Sequence, residues 1–300
     1  MVDPDVLRRF SAGAARYDAH AHVQRLSAVD LLAYTEASLG PSPNGGLART
    51  MNILEPGCGT GLYTRMLLDA FPAASIFGID VSEAMIRVAR KRIDDQGWSS
   101  AATGRDAPGL VVAAGDPRAR FAVADAEEID AGSYDLVTSN AVFQWFLSLP
   151  RTLGRMASLL RGGGLLTFSF FGPETYAELA DALRAAAGGN GRPGAAAGRD
   201  APGFVAAAAF HSREEISGAL SAAFPRWEVV ERRYHQEFPT LAALLRSIRY
   251  TGTRGGGARE AWSPGKLARV EEAYRGRDGG IRATYQVFLC RGVIPGGETG

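Results

Sequence analysis

The sequence predicts a doubly wound α/β domain built on a largely parallel sheet. Three observations carry this prediction. Short apolar runs alternate with helical patterns over the first 170 residues, a glycine-rich turn follows the first run, and acidic residues follow the next ones. Strands covered by helices on both faces have nearly continuous apolar sequences, as these runs do. Two longer strand patterns near the C-terminus bring the predicted sheet to seven strands.

The predicted elements follow one another in a regular order. Strands are predicted at residues 51–55, 75–79, 121–124, 134–139, 164–170, 227–238 and 282–291. Helices are predicted at residues 61–71, 82–94, 150–160, 240–250 and 264–274. Ser82 is placed to cap the second of these helices, with Glu83 in its first turn. Three glycines after Arg161 mark the end of the third.

Composition divides this single domain into three parts. Residues 1–45 form an N-terminal helical cap that ends in a Gly- and Pro-rich break, and residues 50–171 hold the alternating strands and helices. Residues 172–300 supply inserted lid helices, further helices and the C-terminal strands. Residues 172–186 are expected to form a lid over the pocket together with the N-terminal helices at 1–40. The stretches 99–119 and 187–203 are rich in Gly, Ala and Pro and are predicted to be surface loops.

Composition also excludes several classes of protein. With 46% hydrophobic and 22% charged residues the chain is not disordered, and no apolar run approaches the ~20 residues of a membrane helix. The N-terminus has no apolar signal segment, and Cys58 and Cys290 have neither zinc nor disulfide spacing. A net charge of +1 does not suit a nucleic-acid-binding protein. We therefore expect a cytoplasmic enzyme without a metal, a membrane anchor or bound nucleic acid.

A glycine-rich turn follows the first predicted strand. Residues 55–61 read Glu-Pro-Gly-Cys-Gly-Thr-Gly, which places glycines at Gly57, Gly59 and Gly61 before a helix. Glycine permits a tight turn and lets a ligand approach the backbone closely. Asp80 ends the second strand, where a carboxylate can accept hydrogen bonds from ribose hydroxyls.

The spacing favours S-adenosylmethionine over a dinucleotide. A dinucleotide site has the spacing G-x-G-x-x-G and binds a pyrophosphate, which the carboxylate of Glu55 would repel. That carboxylate suits a cationic amine, and S-adenosylmethionine combines such an amine with a ribose. A tight turn without any ligand is the alternative interpretation.

Further candidate contacts follow the other strands. Asp125 and the backbone N–H of Ala126 follow the third strand, where they can bind adenine, although a solvated loop acid is the alternative. Residues 139–145 follow the fourth strand and supply amides and aromatic rings. Ligands of such sheets bind at the carboxyl ends of the strands. The predicted cofactor contacts are Glu55, Gly57, Gly59, Gly61, Asp80, Val81, Asp125, Ala126, Asn140 and Gln144.

Five segments, spread over the whole chain, resemble a known family. They are Phe10-Ser-x5-Tyr17-Asp-x3-His22-Val-Gln24, Ser139-Asn-Ala-Val-Phe-Gln144-Trp145, Phe168-Ser-Phe-Phe-Gly172-Pro-Glu-Thr175, and Leu245-Arg-Ser-Ile-Arg-Tyr-Thr-Gly252 with a final Ala283-Thr-Tyr-Gln-Val-Phe. With the glycine turn, they resemble class I S-adenosylmethionine-dependent methyltransferases, and more closely the malonyl-acyl-carrier-protein O-methyltransferases of biotin synthesis, the BioC family. The chain departs from this family in its two Gly/Ala-rich insertions and in having Arg249-Tyr250 where Lys-Gly is common.

The resemblance implies a Rossmann-like fold, S-adenosylmethionine as cofactor and S-adenosylhomocysteine as its product. The implied acceptor is the free carboxylate of a malonyl thioester on the phosphopantetheine arm of acyl-carrier protein. A carboxylate is ionised at neutral pH, so no general base is required. Tyr17, Trp145 and Phe171 are candidates to face the sulfonium, with core packing as the alternative. Arg246 or Arg249, and less so Arg151, is expected to hold the acceptor carboxylate, with solvated surface arginine as the alternative.

Acyl-carrier proteins are acidic, so the resemblance also implies a basic docking surface. From residue 225 onward the chain has thirteen basic and eight acidic residues, which suggests docking at 246–259 with Arg232 and Arg233. We expect a monomer. Two other functions stay open: methylation of a small free carboxylic acid, and a role as an assembly factor for respiratory complex I.

Overall fold

The computed structural model describes residues 4–41, 49–94, 112–113, 115–130, 132–186, 207, 210–253 and 263–296. Its α-helices are α1 Pro4–Gly13, α2 Tyr17–His20, α3 His22–Leu39, α4 Leu62–Ala70, α5 Glu83–Asp94, α6 Leu149–Ser158, α7 Ala177–Ala186, α8 Arg213–Ala223, α9 Leu241–Tyr250 and α10 Pro264–Asp278. Its strands are β1 Asn52–Pro56, β2 Ser75–Asp80, β3 Val112–Ala113, β4 Ala119–Val123, β5 Tyr134–Asn140, β6 Leu160–Phe171, β7 Arg226–Phe238 and β8 Ile281–Val293.

The strands form one mixed sheet in the order β3-β4-β2-β1-β5-β6-β8-β7. Strands β4, β2, β1, β5 and β6 are parallel, and β8 lies antiparallel between β6 and β7. The predicted doubly wound sheet is confirmed, and its seven long strands are the predicted ones. The additional strand β3 is a two-residue pairing at one edge. Chain order reverses between β1 and β5, which opens a crevice at their carboxyl ends.

Two hydrophobic cores lie on the two faces of the sheet because successive strand residues point in opposite directions. Ile53 of β1 packs with α3, α4 and α5, whereas its neighbour Leu54 packs on the side of α6 and α8. The same alternation separates Leu165 from Leu166 in β6. All four side chains are buried, so these strands are covered on both faces, as their continuous apolar sequences predict.

Local capping signals set several helix starts. The hydroxyl of Ser82 accepts a hydrogen bond from the Met85 N–H at 3.3 Å, as the sequence predicts for α5. Ser212 and Glu215 form a reciprocal capping box at α8, which is not among the predicted helices. These bonds satisfy N–H groups that the first helical turn leaves without a partner.

Helix α3 is bound to the sheet by buried hydroxyl groups. The Thr35 hydroxyl lies 2.8 Å from that of Thr167 in β6, which donates in turn to Thr138 of β5 at 3.0 Å. Tyr63 of α4 lies 3.0 Å from the same Thr138. Buried polar groups must find partners, and this chain of hydroxyls lets them do so only when α3 sits in one register. The C-terminal part of the N-terminal cap is thus a fixed layer of the domain.

Residues 172–186, the predicted lid, are packed into the domain. Helix α7 buries Leu179 and Leu183 in the core beside α10 and β8. Glu178 accepts a hydrogen bond from the Thr284 N–H of β8 at 3.0 Å. Within the described ranges, no residue of 172–186 lines the crevice, and no helix is long and apolar enough to cross a membrane.

Candidate active site

A cleft lies at the carboxyl ends of β1, β2 and β5, beneath the N-terminal helices. It contains about 990 Å³ of empty space, part of it open to solvent. The strands contribute carboxylates and the glycine turn, and the N-terminal helices contribute apolar side chains together with Asp18, Gln24 and Arg25. Its lining residues are Val6, Leu7, Phe10, Tyr17, Asp18, Ala21, Gln24, Arg25, Glu55, Gly57, Cys58, Gly59, Thr60, Leu62, Tyr63, Asp80, Val81, Met85, Ala124, Ala126, Asn140, Ala141, Val142, Trp145 and Phe146.

Glycine is needed at the three positions of the turn for different structural reasons. All have positive φ, a conformation that favours glycine. A Cβ on Gly57 would lie 2.5 Å from a methyl group of Val142, and one on Gly61 would lie 3.0 Å from the backbone of Ala89. A Cβ on Gly59 would meet nothing within 4 Å. Gly57 and Gly61 therefore serve packing, whereas Gly59 leaves its face free toward the cleft.

Asp80 joins the glycine turn to the start of α5. One carboxylate oxygen accepts the Gly59 N–H at 3.0 Å, and the other accepts the Ser82 N–H at 2.8 Å. Burial raises its pKa to about 6, although these two hydrogen bonds oppose the shift. The carboxylate is thus ionised for the most part at neutral pH, and it lines the cleft.

Glu55 is a second, more deeply buried carboxyl group in the cleft. Only 2% of the residue is exposed, and it accepts a hydrogen bond from the Thr64 hydroxyl at 2.5 Å. Burial raises its pKa to about 8, with a smaller contribution from repulsion by Asp80. A cation bound beside it would favour the ionised form. The arrangement of Glu55 and Asp80 therefore suits a ligand with a cationic group and hydroxyls.

The predicted adenine contacts lie at one end of the cleft. Ala126 and its neighbour Ala124 line it, whereas the Asp125 side chain accepts the Glu127 N–H at 2.9 Å and is not part of the lining. Val81 lines the cleft next to Asp80.

Asn140 and Gln144 serve largely to build the wall after β5. The Asn140 side chain donates to the Gln24 carbonyl at 2.9 Å and accepts from Ser27 and Ser169, yet it still borders the cleft. Gln144 is buried outside the lining and donates to the Ala141 carbonyl at 2.7 Å. The predicted direct contact of Gln144 is therefore replaced by a role within the turn.

Aromatic side chains from the N-terminal helices and from the turn after β5 form one wall of the cleft, the aromatic wall. Phe10 lies between Tyr17 and Trp145, with ring-centroid distances of 6.2 Å and 5.6 Å. Burial raises the pKa of the Tyr17 hydroxyl, which stays neutral at physiological pH. Phe171, the third predicted aromatic, does not belong to this wall. It is 1% exposed, packs against Tyr285 in the core and is not part of the cleft lining.

The predicted acceptor-binding arginines lie outside the cleft. Arg246 and Arg249 are exposed on α9, and Arg151 is exposed on α6, so none of them lines it. Arg25 of α3 does line the cleft and is exposed at the same time, which places a guanidinium at the opening. No motif of the sequence singled out Arg25, since only the packing of α3 brings it there.

A polar link holds the N-terminal helices to the glycine turn. Asp18 of α2 accepts a hydrogen bond from the Thr60 hydroxyl at 2.8 Å and forms an ion pair with Arg92 of α5. Arg92 also donates to the Thr60 carbonyl at 2.9 Å. A second contact joins the Ser11 and Ser82 hydroxyls at 2.8 Å. Asp18 stands beside Tyr17 in the sequence, but its partners are more than forty residues away, so sequence reasoning missed it.

Together, the strand order and the carboxylates around the glycine turn define a Rossmann-like, S-adenosylmethionine-dependent methyltransferase of class I. A family model described as a methyltransferase domain matches residues 54–168. A putative methyltransferase from Bacillus halodurans shares the fold, with a TM-score of 0.53, 13% identity and coverage of 89% of this chain and 98% of that one. The YcgJ protein of Bacillus subtilis does so with a TM-score of 0.52, 14% identity and coverage of 85% and 96%.

Relatives along the full length narrow this class to a family. A malonyl-acyl-carrier-protein O-methyltransferase of Methylococcus capsulatus is 32% identical over 288 residues, covering 94% of this chain and 90% of the relative. The protein of that name from Geobacter sulfurreducens is 32% identical over 299 residues, covering 96% and 97%. The chain belongs to the malonyl-acyl-carrier-protein O-methyltransferase family. Its cofactor is S-adenosylmethionine, as the sequence predicts.

Proposed function

We propose that this protein methylates the free carboxylate of a malonyl thioester carried by acyl-carrier protein, giving the methyl ester that primes pimeloyl synthesis for biotin. The observation that carries the proposal is the division of the cleft. One side holds two carboxyl groups beside the glycine turn, and the other is an aromatic wall. Within the described lining there is no histidine or lysine, and burial raises the pKa of the Cys58 thiol. Such a cleft suits an acceptor that is already ionised.

The residues of the carboxylate side fit the cofactor. In this proposal Asp80 accepts hydrogen bonds from the ribose hydroxyls, and Glu55 faces the ammonium group. The open face of Gly59 leaves room for the ligand at the backbone. Ala126 and Val81 border the adenine end. The bound cofactor supplies an electrophilic methyl group on a sulfonium and is released as S-adenosylhomocysteine.

The residues of the aromatic side perform the remaining tasks. Phe10, Tyr17 and Trp145 exclude water from the reacting groups, and their ring faces attract a cation. Arg25 at the opening binds and orients the acceptor carboxylate through its guanidinium. Positioning of this kind contributes up to ~7–11 kcal/mol to the lowering of a barrier. Tyr17 does not act as a general base, because the acceptor carboxylate is already ionised and has no proton to lose.

The proposal includes an acidic carrier protein as the partner. It also includes that the enzyme itself acts as a monomer in the cytoplasm. Arg246 and Arg249 offer exposed positive charge on α9. Arg232 is exposed as well, but Arg233 is paired with Glu174 at 2.7 Å and is a weaker candidate for docking. Arg254 and Arg259, also predicted for docking, lie outside the described residues. Light scattering of the purified protein tests the monomer.

A methyl-transfer assay tests the proposed function. The purified protein is incubated with S-adenosylmethionine and, separately, with malonyl-acyl-carrier protein, malonyl-coenzyme A and free malonate. We expect the methyl ester, detected by mass spectrometry, to form fastest on the carrier protein and at a negligible rate on free malonate. Preference for free malonate would instead indicate a small-acid methyltransferase. No methylation of any malonyl compound would overturn the proposal.

A further inference from the structure

Two basic side chains contact one tyrosine at the junction of α1, α2 and α9, and a third lies one helical turn away. The His20 ring stacks on the Tyr250 ring, with centroids 4.7 Å apart and planes inclined by 18°. The Arg16 guanidinium lies 5.5 Å from the centre of the same ring and donates to its hydroxyl at 2.6 Å. Arg246 precedes Tyr250 by four residues on α9 and therefore lies on the same face of that helix, where it repels a charge on His20.

This cluster carries unbalanced positive charge. Burial lowers the pKa of His20, and repulsion by Arg246 and Arg16 lowers it further. No carboxylate in the described parts of the chain forms an ion pair with either Arg16 or Arg246, whereas Arg92 pairs with one carboxylate and Arg233 with two. Both arginines are exposed, so an anion from solution can reach them. Crowded like charges are costly, and an anion bound among them would relieve the cost.

The cluster lies directly behind the cleft. Tyr17 and Ala21, next to Arg16 and His20 in the chain, line the cleft, so one short helix has the cleft on one side and the cluster on the other. Gly252 packs against Phe10 of the aromatic wall so closely that a Cβ there would lie 2.5 Å from the ring. An anion bound by the cluster is therefore adjacent to the aromatic wall, which is the side of the cleft proposed to hold the acceptor.

We propose that Arg16, His20 and Arg246 form a phosphate-binding site for the phosphodiester of the phosphopantetheine arm. This inference rests on the proposed function, because it assumes that the acceptor thioester is carried on that arm. Guanidinium groups bind phosphate oxygens in a bidentate fork, and the compact grouping around one ring matches a single anion. Ser247 of α9 donates to the His20 carbonyl at 3.4 Å and helps to hold the two elements together.

Substrates with and without the phosphate test the site by kinetics. The double variant Arg16→Gln, Arg246→Gln is compared with the wild type on malonyl-phosphopantetheine, malonyl-pantetheine and malonyl-acyl-carrier protein. We expect its KM to rise about tenfold on the two phosphate-bearing substrates and to stay unchanged on malonyl-pantetheine, since each lost charge-assisted bond weakens binding. Arg269→Gln, which removes an exposed arginine on α10, is the matched control and should leave all three values unchanged.

Two kinetic outcomes would overturn the proposal. A rise in KM confined to the carrier protein would show that the cluster binds the acidic protein surface. An equal loss on all three substrates would assign the arginines a structural role only.

NMR titration of His20 tests the site without any turnover. Inorganic phosphate, added at constant ionic strength against chloride, should raise the pKa of His20 in the wild type. The double variant should have a higher pKa without phosphate and respond little to it. The chain has four histidines, and His20→Asn identifies the resonance. If the wild type methylates no malonyl thioester, the proposed function fails, but this titration still decides the site: no response to phosphate overturns it.

Discussion

The two sides of the cleft are built in different ways. The carboxylates and the glycine turn of the carboxylate side come from residues 55–80, and the Asp80 carboxylate is hydrogen-bonded to the backbone of the glycine turn. The aromatic side combines Phe10 and Tyr17 with Trp145, which is more than 120 residues away in the chain. One continuous segment thus supplies the carboxylates and the glycine turn of the cofactor side, whereas the acceptor side exists only when the N-terminal helices are docked. Cofactor binding and turnover should therefore respond to different changes.

Removal of residues 1–22 should have the largest effect on turnover, because it deletes most of the aromatic side of the cleft and leaves the carboxylate side in place. Phe10 and Tyr17 are lost, while Glu55, Asp80 and the glycine turn remain. We expect turnover to fall to background and S-adenosylmethionine binding to stay measurable by calorimetry. Circular dichroism verifies that the truncated protein is folded. Normal turnover by the truncated protein would show that the aromatic wall is ordinary surface structure.

Changes at Asp80 and Gly59 should break the carboxylate side in its turn. Asp80→Ala removes the acceptor of two backbone N–H groups and the proposed ribose contacts, each charge-assisted bond being worth ~1.5–3 kcal/mol. Gly59→Val places a branched side chain at positive φ on the face left open to the ligand. Calorimetry should show at least tenfold weaker cofactor binding in both variants. Asp69→Ala, at an exposed carboxylate of α4, is the control. Unchanged affinity in both variants would remove Asp80 and Gly59 from the site.

The raised pKa of Glu55 predicts a pH-dependent stability that belongs to the carboxylate side alone. The folded protein keeps this proton up to about pH 8, whereas the unfolded chain loses it near the ordinary value of 4.5. Between these values the folded state binds more protons, so its free energy of unfolding decreases as pH rises. Thermal unfolding without cofactor should therefore show a Tm that falls from pH 5 to pH 8. The Tm of the Glu55→Gln variant should fall less steeply over this range. Equal slopes of Tm against pH in the variant and the wild type would contradict the raised pKa of Glu55.

Breaking the polar link that joins Asp18 and Arg92 to Thr60 of the glycine turn should have the smallest effect, a change in the rate of cofactor release. Arg92→Gln removes the ion pair with Asp18 and the hydrogen bond to the Thr60 carbonyl. The side chains of Arg92 and Asp18 are each about 30% exposed. Partly exposed pairs contribute up to about 1 kcal/mol, so stopped-flow measurement should show cofactor release up to about fivefold faster. Arg87→Gln breaks an exposed pair with Glu83 on the same helix and should change nothing. Identical release rates in the two variants would mean that the link does not hold the N-terminal helices over the cofactor.

The sequence by itself determined the sheet, the glycine turn and the carboxylates of the cofactor side. These features depend on local patterns: apolar runs, glycine spacing and an acid at a strand end, all of which act within a few residues of one another. Glu55, Gly59 and Asp80 accordingly lie in the cleft where the sequence predicts them.

Only the tertiary structure decided which other side chains reach the cleft. Phe171 follows the predicted strand at 164–170, and only the packing of β6 shows that its ring lies in the core against Tyr285 and not in the cleft lining. Arg246 and Arg249 lie in a segment resembling the family, yet α9 turns them to solvent, whereas α3 brings Arg25 to the opening. Asp18 finds Thr60 and Arg92 only when α2 docks on the glycine turn. Such contacts join segments far apart in the chain, and no local pattern encodes the orientation in which the segments pack.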